Sequence, residues 1–358
     1  MTPALKQTLA HLEQLVGFDT RNPPRAITTD GIFGYLQDNL TGFEFELTDL
    51  GDGCISLLAT RGQPGTLFNF HLDTVPAAST WDGDPFVLRL DGQHATGLGA
   101  CDIKGATACM LTAAAQTQGE LALLFSSDEE AGSSRCIREF LSKQHGFERV
   151  VVAEPTNARA VLAHRGIATA SMQFAGQAGH ASGAAGLESS AVHRAVRWAD
   201  RALTHAAGND ETYGSLSGMR SNIGRIEGGI KPNIIAPRAE LKFGIRTLPG
   251  QDGAALLTHF CQLAEPHEVA GFEPGFVAPS LPAQGAYPPA DSLALAQSLA
   301  LPIGEPVDFW TEAALFAAAG ITALVFGPGD IAQAHAVNES VALSQLQEVT
   351  DIYTGLIQ

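Results

Sequence analysis

Three short apolar runs, each ending in a histidine or an acidic residue, constrain this chain more than any other feature. TLFNFH (66–71), LALLFSSDEE (121–130) and RVVVAE (149–154) read as buried strands. Between them lie two helical segments, IKGATACMLTAAAQ (103–116) and SSRCIREFLSKQ (133–144). Apolar strands alternating with helices predict a parallel or mixed sheet, because strands without a polar face must be covered on both sides. ITALVFG (321–327) is a further strand of this kind, and a C-terminal helix starts near Leu343.

The strand ends carry the chemistry. His71 closes the first run, with Asp73 just beyond it; Glu129 and Glu130 follow the second; Glu154 ends the third. Asp102 sits at the strand-to-helix junction of GLGACDIKG, and His335 follows ITALVFGPGD. Ligands gather at the carboxyl ends of strands in open α/β sheets, so these residues together predict one site. Two histidines with several carboxylates suit Zn²⁺, with Co²⁺ or Mn²⁺ as feasible substitutes.

Residues i and i+2 of a strand point the same way, so Asp73 is expected to hydrogen-bond the non-ligating ring nitrogen of His71. Taken alone, H-x-D is more commonly a strand-end histidine beside a solvated aspartate. The run Asp128-Glu129-Glu130 is more informative, because it directly ends an apolar strand, where charge is costly unless paired or metal-bound. Adjacent carboxylates point in different directions, so one can bind metal while its neighbour moves a proton. Cys101, beside Asp102, reads as a small packing residue. Gly327, Pro328 and Gly329 lack the following lysine of a nucleotide loop.

From about residue 167 the texture changes. IATASMQFAG (167–176) alternates as a half-exposed strand, a helix follows at 187–206, strands come near 219–227 and 234–247, then a helix near 251–264 and a strand near 267–277. The order β-α-β-β-α-β is the ferredoxin-like split unit. The expected architecture is an α/β domain of residues 1–166 and 279–358, its mostly parallel sheet flanked by helices, with an α+β domain of residues 167–278 inserted.

Composition narrows the partners. A formal net charge of −17 argues against nucleic acid, whose binders carry basic stripes. Charged residues make up only 16% and apolar residues 45%, which fits compact cores and not disorder. Five scattered cysteines without a C-x-x-C fit a reducing compartment. The first segment is amphipathic, with Leu5, Leu9, Leu12 and Val16 at helical spacing, and does not read as a signal peptide. No run reaches the roughly 18 apolar residues of a membrane helix, so a cytoplasmic protein with no membrane partner is expected.

HLDTVP (71–76), GLGACDIKG (97–105), SSDEE (126–130), AEPT (153–156), GHAS (179–182), NIGRIEGGIKPN (222–233), FWTEAALF (309–316) and GPGDIAQAH (327–335) follow in order. Together they resemble the M20 peptidase/aminoacylase family, in its acetylornithine deacetylase and succinyl-diaminopimelate desuccinylase branch. AHRGI (163–167) and VDFWTEA (307–313) are similar to the N-acetylcitrulline deacetylases of that branch.

The resemblance implies Asp102 bridging two metals, His71 and Glu154 completing one position, and Glu130 and His335 the other. It implies a cis peptide bond after Asp102. Glu129 would be the general base, and Asp73 counts among the catalytic residues as the group that orients His71. His180 would stabilise the oxyanion in the opposite subunit of a homodimer formed through the inserted lid domain. Asn222, Asn233 and Arg246 would contact substrate, with Arg246 clamping an α-carboxylate. The implied activity is zinc-dependent removal of an acetyl group from a small amino acid, acetylcitrulline or acetylornithine, in arginine biosynthesis. A desuccinylase, a dipeptidase or carboxypeptidase, and a non-catalytic binding protein stand as alternatives. Read without the family, Arg246 is an ordinary exposed strand residue and His180 an ordinary loop histidine.

Overall fold

The computed structural model describes residues 1–357. The chain divides into two compact units: Met1–Leu162 with Ala290–Gly304 and Thr311 onward, and Ala163–Pro289 with Glu305–Trp310. No helix among the described residues is long and apolar enough to cross a membrane.

The first unit is built on a six-stranded mixed sheet. Leu121–Ser126, Thr66–His71, Arg149–Val152 and Thr322–Val325 run parallel and side by side. Two strands absent from the sequence expectation, Glu44–Asp49 and Ile55–Arg61, extend the sheet antiparallel. Glu44–Asp49 is exposed along most of its length, as an edge strand tolerates, so it carries no continuous apolar signal.

Register places the site. His71 pairs with Ser126 and Asn69 with Val152, so three neighbouring strands deliver His71, the Glu129–Glu130 turn and Glu154 to one sheet edge. Helix Lys104–Gln116 starts from Asp102 and packs between helices Pro3–Gly17 and Leu343–Leu356. Gly105 lets the helix start close to its neighbours, since a Cβ there would lie 2.4 Å from the Ala100 carbonyl oxygen of the preceding loop and 3.3 Å from the Leu346 side chain of the last helix. Thr8 on the first helix lies 3.0 Å from Thr112 and 3.0 Å from Thr350, so hydroxyls join all three helices inside the core.

In the second unit, four antiparallel strands lie in the order Arg220–Gly228, Arg238–Thr247, Gly166–Ala175, Val269–Ala278. With helices Ala191–Ala207 and Gly253–Cys261, this is the ferredoxin-like arrangement. Ala168, Ala170, Met172 and Phe174 face a core with Trp198, Phe243 and Phe260. The Trp198 indole N–H donates to the Phe260 carbonyl at 2.8 Å, so the largest core side chain leaves no donor unpaired.

Two details differ from the sequence reading. The strand expected at 234–247 is interrupted at Pro237, which has no N–H for a ladder, leaving Ile234–Ile235 and Arg238–Thr247. The second unit is wider than the expected 167–278 block, running from Ala163 to Pro289, and it also takes in Glu305–Trp310. The buried Arg165 accounts for this: its Nε donates to Asp308 at 2.5 Å, and its Nη1 and Nη2 to the Gly218 and Ser217 carbonyls at 2.7 and 2.9 Å.

Candidate metal centre

His71 Nε2 lies 3.0 Å from Asp102 Oδ1 and 3.9 Å from Glu154 Oε1. His335 Nε2 lies 2.8 Å from Glu130 Oε1 and 3.5 Å from Asp102 Oδ2. The result is two three-residue groups, His71–Asp102–Glu154 and Asp102–Glu130–His335, each with ligand atoms within 4.8 Å of one another and sharing Asp102. The first group is buried; the second opens to solvent through His335. The Asp102–Ile103 peptide bond is cis.

The electrostatics of this cluster fit a cation. Burial pushes Glu154 well above the usual carboxylate range, with Asp102 and Glu130 adding to the shift and His71 opposing it. Glu129 moves the same way, through burial and the charges of Glu130, Glu154 and Glu312. Burial alone would lower the His71 imidazole, yet Asp102, Asp73 and Glu154 raise it well above its ordinary value. Protons are thus drawn to the cluster because it lacks enough positive charge of its own. Divalent ions compete for these same atoms, and the imidazole–carboxylate donor set suits Zn²⁺ or its neighbours.

Supporting residues hold the groups in place. The His71 Nδ1–H donates to the backbone carbonyl of Asp73 at 3.0 Å, while the Asp73 carboxylate stands 3.6 Å away. The expected side-chain hydrogen bond is therefore replaced by a main-chain one. The Asp73 carboxylate instead accepts the N–H of Glu129 at 3.3 Å, the N–H of Glu130 at 3.0 Å and the Asn22 amide at 3.0 Å. The alternation rule predicted the direction of the side chain, but the turn after Ser127 brings stronger claimants to it.

Asp128 takes the N–H of Cys136 at 3.3 Å and that of Arg135, anchoring the far end of the same turn at a helix start. Glu339, also buried, accepts three N–H groups from the Gly99–Asp102 loop. Burial and the charge of Asp102 push its carboxyl up to about 7 against those bonds. Buried Lys104 donates to the Phe18 carbonyl at 3.0 Å and is lowered to about 7 by burial, against the pull of Glu339, Asp19 and Asp73. Glu312, raised to about 8 by burial and Asp128, lies 3.4 Å from Ser126 Oγ. The sequence reading missed Asn22, Lys104, Glu312 and Glu339 as contributors. Two of them lay inside quoted motifs, Lys104 in GLGACDIKG and Glu312 in FWTEAALF, whereas Asn22 and Glu339 offered no such signal.

The remaining candidates lie in the second unit. His180 is exposed on the short strand Gly179–His180, paired with Ile234–Ile235 next to Asn233. Its Nδ1 lies 2.7 Å from Ser182 Oγ and 3.2 Å from the Ser182 backbone nitrogen, so Ser182 fixes that side of the ring. Asn222 and Arg246 line one groove of about 570 Å³ on the sheet, where Asn222 pairs with Gly244 and Arg220 with Arg246. Arg220 and Lys242 share that groove and were not singled out from sequence.

Residues 67–358 match the model of peptidase family M20/M25/M40. The chain is 52% identical to an N-acetyl-L-citrulline deacetylase of Xanthomonas campestris pv. campestris, over 100% of this chain and 99% of that protein. It is 31% identical to an acetylornithine deacetylase of Myxococcus xanthus, over 96% and 94% of the two chains. Among solved structures, the aminopeptidase PepT of Bacillus cereus aligns with a TM-score of 0.74 at 18% identity, covering 99% of this chain and 98% of that one. An M20 family metallo-carboxypeptidase of Sulfolobus solfataricus aligns at 0.73 and 16%, covering 98% of each. At such identities these two speak for the fold alone.

Proposed function

This chain belongs to peptidase family M20/M25/M40, and on that premise we propose that it is a metal-dependent deacetylase of N-acetyl-L-citrulline. Water would split the amide, giving acetate and L-citrulline. The observation that carries the reaction class is the meeting of two ligand groups at Asp102, with Glu129 beside them and in neither group. Full-length identity of 52% to a deacetylase of that name supports the substrate.

His71, Asp102 and Glu154 would hold one divalent ion and Asp102, Glu130 and His335 a second, Zn²⁺ by donor chemistry with Co²⁺ as a working substitute. Bound there, such ions would polarise the amide carbonyl and make water more acidic. Glu129 takes the proton of the attacking water and passes it to the leaving nitrogen. Asp73 keeps Glu129 and Glu130 apart in their two jobs by binding both backbone N–H groups. Arg246 clamps the α-carboxylate through its planar fork, with Asn222 and Asn233 as further polar contacts. His180 gives its Nε2–H to the oxyanion in the opposite subunit of a homodimer. A cytoplasmic place in arginine biosynthesis belongs to the same reading.

Parallel turnover of acetylcitrulline, acetylornithine, succinyl-diaminopimelate and unblocked dipeptides by the Zn²⁺-loaded chain tests the proposal. Acetylcitrulline is expected to give a kcat/KM at least ~10-fold above the others, since a site made for a neutral urea penalises a cation left unpaired. Preference for dipeptides would replace the deacetylase with a peptidase. Turnover of none, with Zn²⁺ bound, would favour a binding protein.

A further inference from the structure

Ser340–Ala342 pairs antiparallel with His94–Thr96, and the ladder continues past both strands, where the Gly97 N–H donates to the Glu339 carbonyl at 3.1 Å. There the main-chain pairing stops and the Glu339 side chain takes over. Its carboxylate accepts the N–H of Gly99 at 2.9 Å, of Cys101 at 2.8 Å and of Asp102 at 2.9 Å. At 2% exposure, Glu339 meets little competition from water for these bonds. A carboxylate receiving three N–H groups from one loop is a charge-assisted clamp, stronger than three neutral bonds.

The same residue ends the loop that carries His335. Both His335 and Asn338 sit in the left-handed region, with φ of 60° and 57°. A loop turned through two such residues depends on its anchors to keep its shape. Asp102 and His335 are thus both referenced to Glu339, although they lie far apart in the chain.

The two ligand groups do not depend on this clamp equally. His71 and Glu154 leave adjacent parallel strands and are held by the sheet, so only Asp102 of the first group is tied to Glu339. In the second group Asp102 and His335 are both tied to it, and Glu130 rides on a turn. From this geometry we propose that Glu339 is a positioning residue that sets the spacing of Asp102 and His335. The group Asp102–Glu130–His335 then owes its cation affinity to Glu339 more than His71–Asp102–Glu154 does. The inference rests on the metal reading above.

The test is titration of stripped full-length protein with Zn²⁺ against a competing chelator, repeated with Co²⁺ and read by its visible absorption. Wild type should take up two equivalents. Glu339→Gln, the same shape with one acceptor exchanged for a donor, should weaken one equivalent at least ~10-fold and shift the other less than ~3-fold. The weakened equivalent should be the one lost in His335→Ala, and the Co²⁺ spectrum of Glu339→Gln should lose the same bands. Glu348→Gln, the same exchange at an exposed position of the last helix and outside the clamp, should titrate like wild type. Should Glu339→Gln not fold by circular dichroism, Glu339→Asp, which keeps the charge at shorter reach, takes its place with the same expectation. Unchanged affinities in a folded variant, or equal weakening of both equivalents, would overturn the inference alone. A wild-type chain that takes up no Zn²⁺ would overturn the metal reading together with it.

Discussion

The carboxylate of Asp73 accepts the backbone N–H of Glu130 at 3.0 Å, although the sequence suggested that its partner would be the His71 ring. One buried side chain thereby fixes the turn on which the proposed base and a proposed ligand sit side by side. Its charge is met by these N–H groups and the Asn22 amide, with the His71 ring 3.6 Å away and the buried Lys104 adding to the attraction.

Asp73→Asn is therefore expected to loosen the turn, because its amide would present a donor to at least one N–H group. Supporting residues of this kind are worth roughly 10–100-fold in metal affinity or activity. Both kcat and Zn²⁺ content should be measured, with kcat falling by about that factor and the His71 position retained. Wild-type kcat in Asp73→Asn would show that the turn holds its shape without the charge.

Glu129 and His180 make a paired prediction. Glu129→Gln should reduce turnover by about 10²–10⁴-fold and keep its metal, since general-base catalysis contributes that much and Glu129 lies outside both ligand groups. His180→Ala should lose about 3–4 kcal/mol of transition-state stabilisation with metal retained. Mixing the two inactive proteins under subunit exchange should restore activity toward half of wild type per heterodimer, because one site then holds both lesions and the other neither. Demonstrated exchange without recovery would place the action of His180 within its own subunit or in structure only.

His164 predicts an acid limit to stability. It is fully buried in the second unit, its Nδ1–H donates to the Arg165 carbonyl at 2.8 Å, and burial lowers its pKa to about 4 from 6.5. Between these values the unfolded chain takes up a proton that the folded chain refuses, so stability falls as pH drops through that window. Above pH 6.5 neither state is protonated and the effect vanishes. The loss approaches about 3 kcal/mol near pH 4. Denaturant unfolding of wild type and His164→Gln at pH 7 and pH 4.5 checks this. The stability of wild type relative to the variant should drop between the two, and a constant difference would sink it.

How much was legible in the sequence follows from how local each cause is. An apolar strand between helices must be written as a short apolar run, so Thr66–His71, Leu121–Ser126 and Arg149–Val152 could be read directly, with the acidic or imidazole residue at each end. The split unit of the second half was equally visible, because alternation with period two is a property of neighbouring residues. Relationships between distant residues left no such trace. Glu339 reaches the Gly99 N–H across 240 positions, and a glutamate that caps a loop looks in sequence like any solvated one. Glu305–Trp310 joins the second unit because Arg165 must satisfy a buried guanidinium, and no periodicity records that demand. Residue types and the succession of apolar strands and helices along the chain were legible in the sequence alone. Which carboxylate lies against which N–H was decided only by the tertiary structure, where burial removes water and leaves each charge to find its partner across the fold.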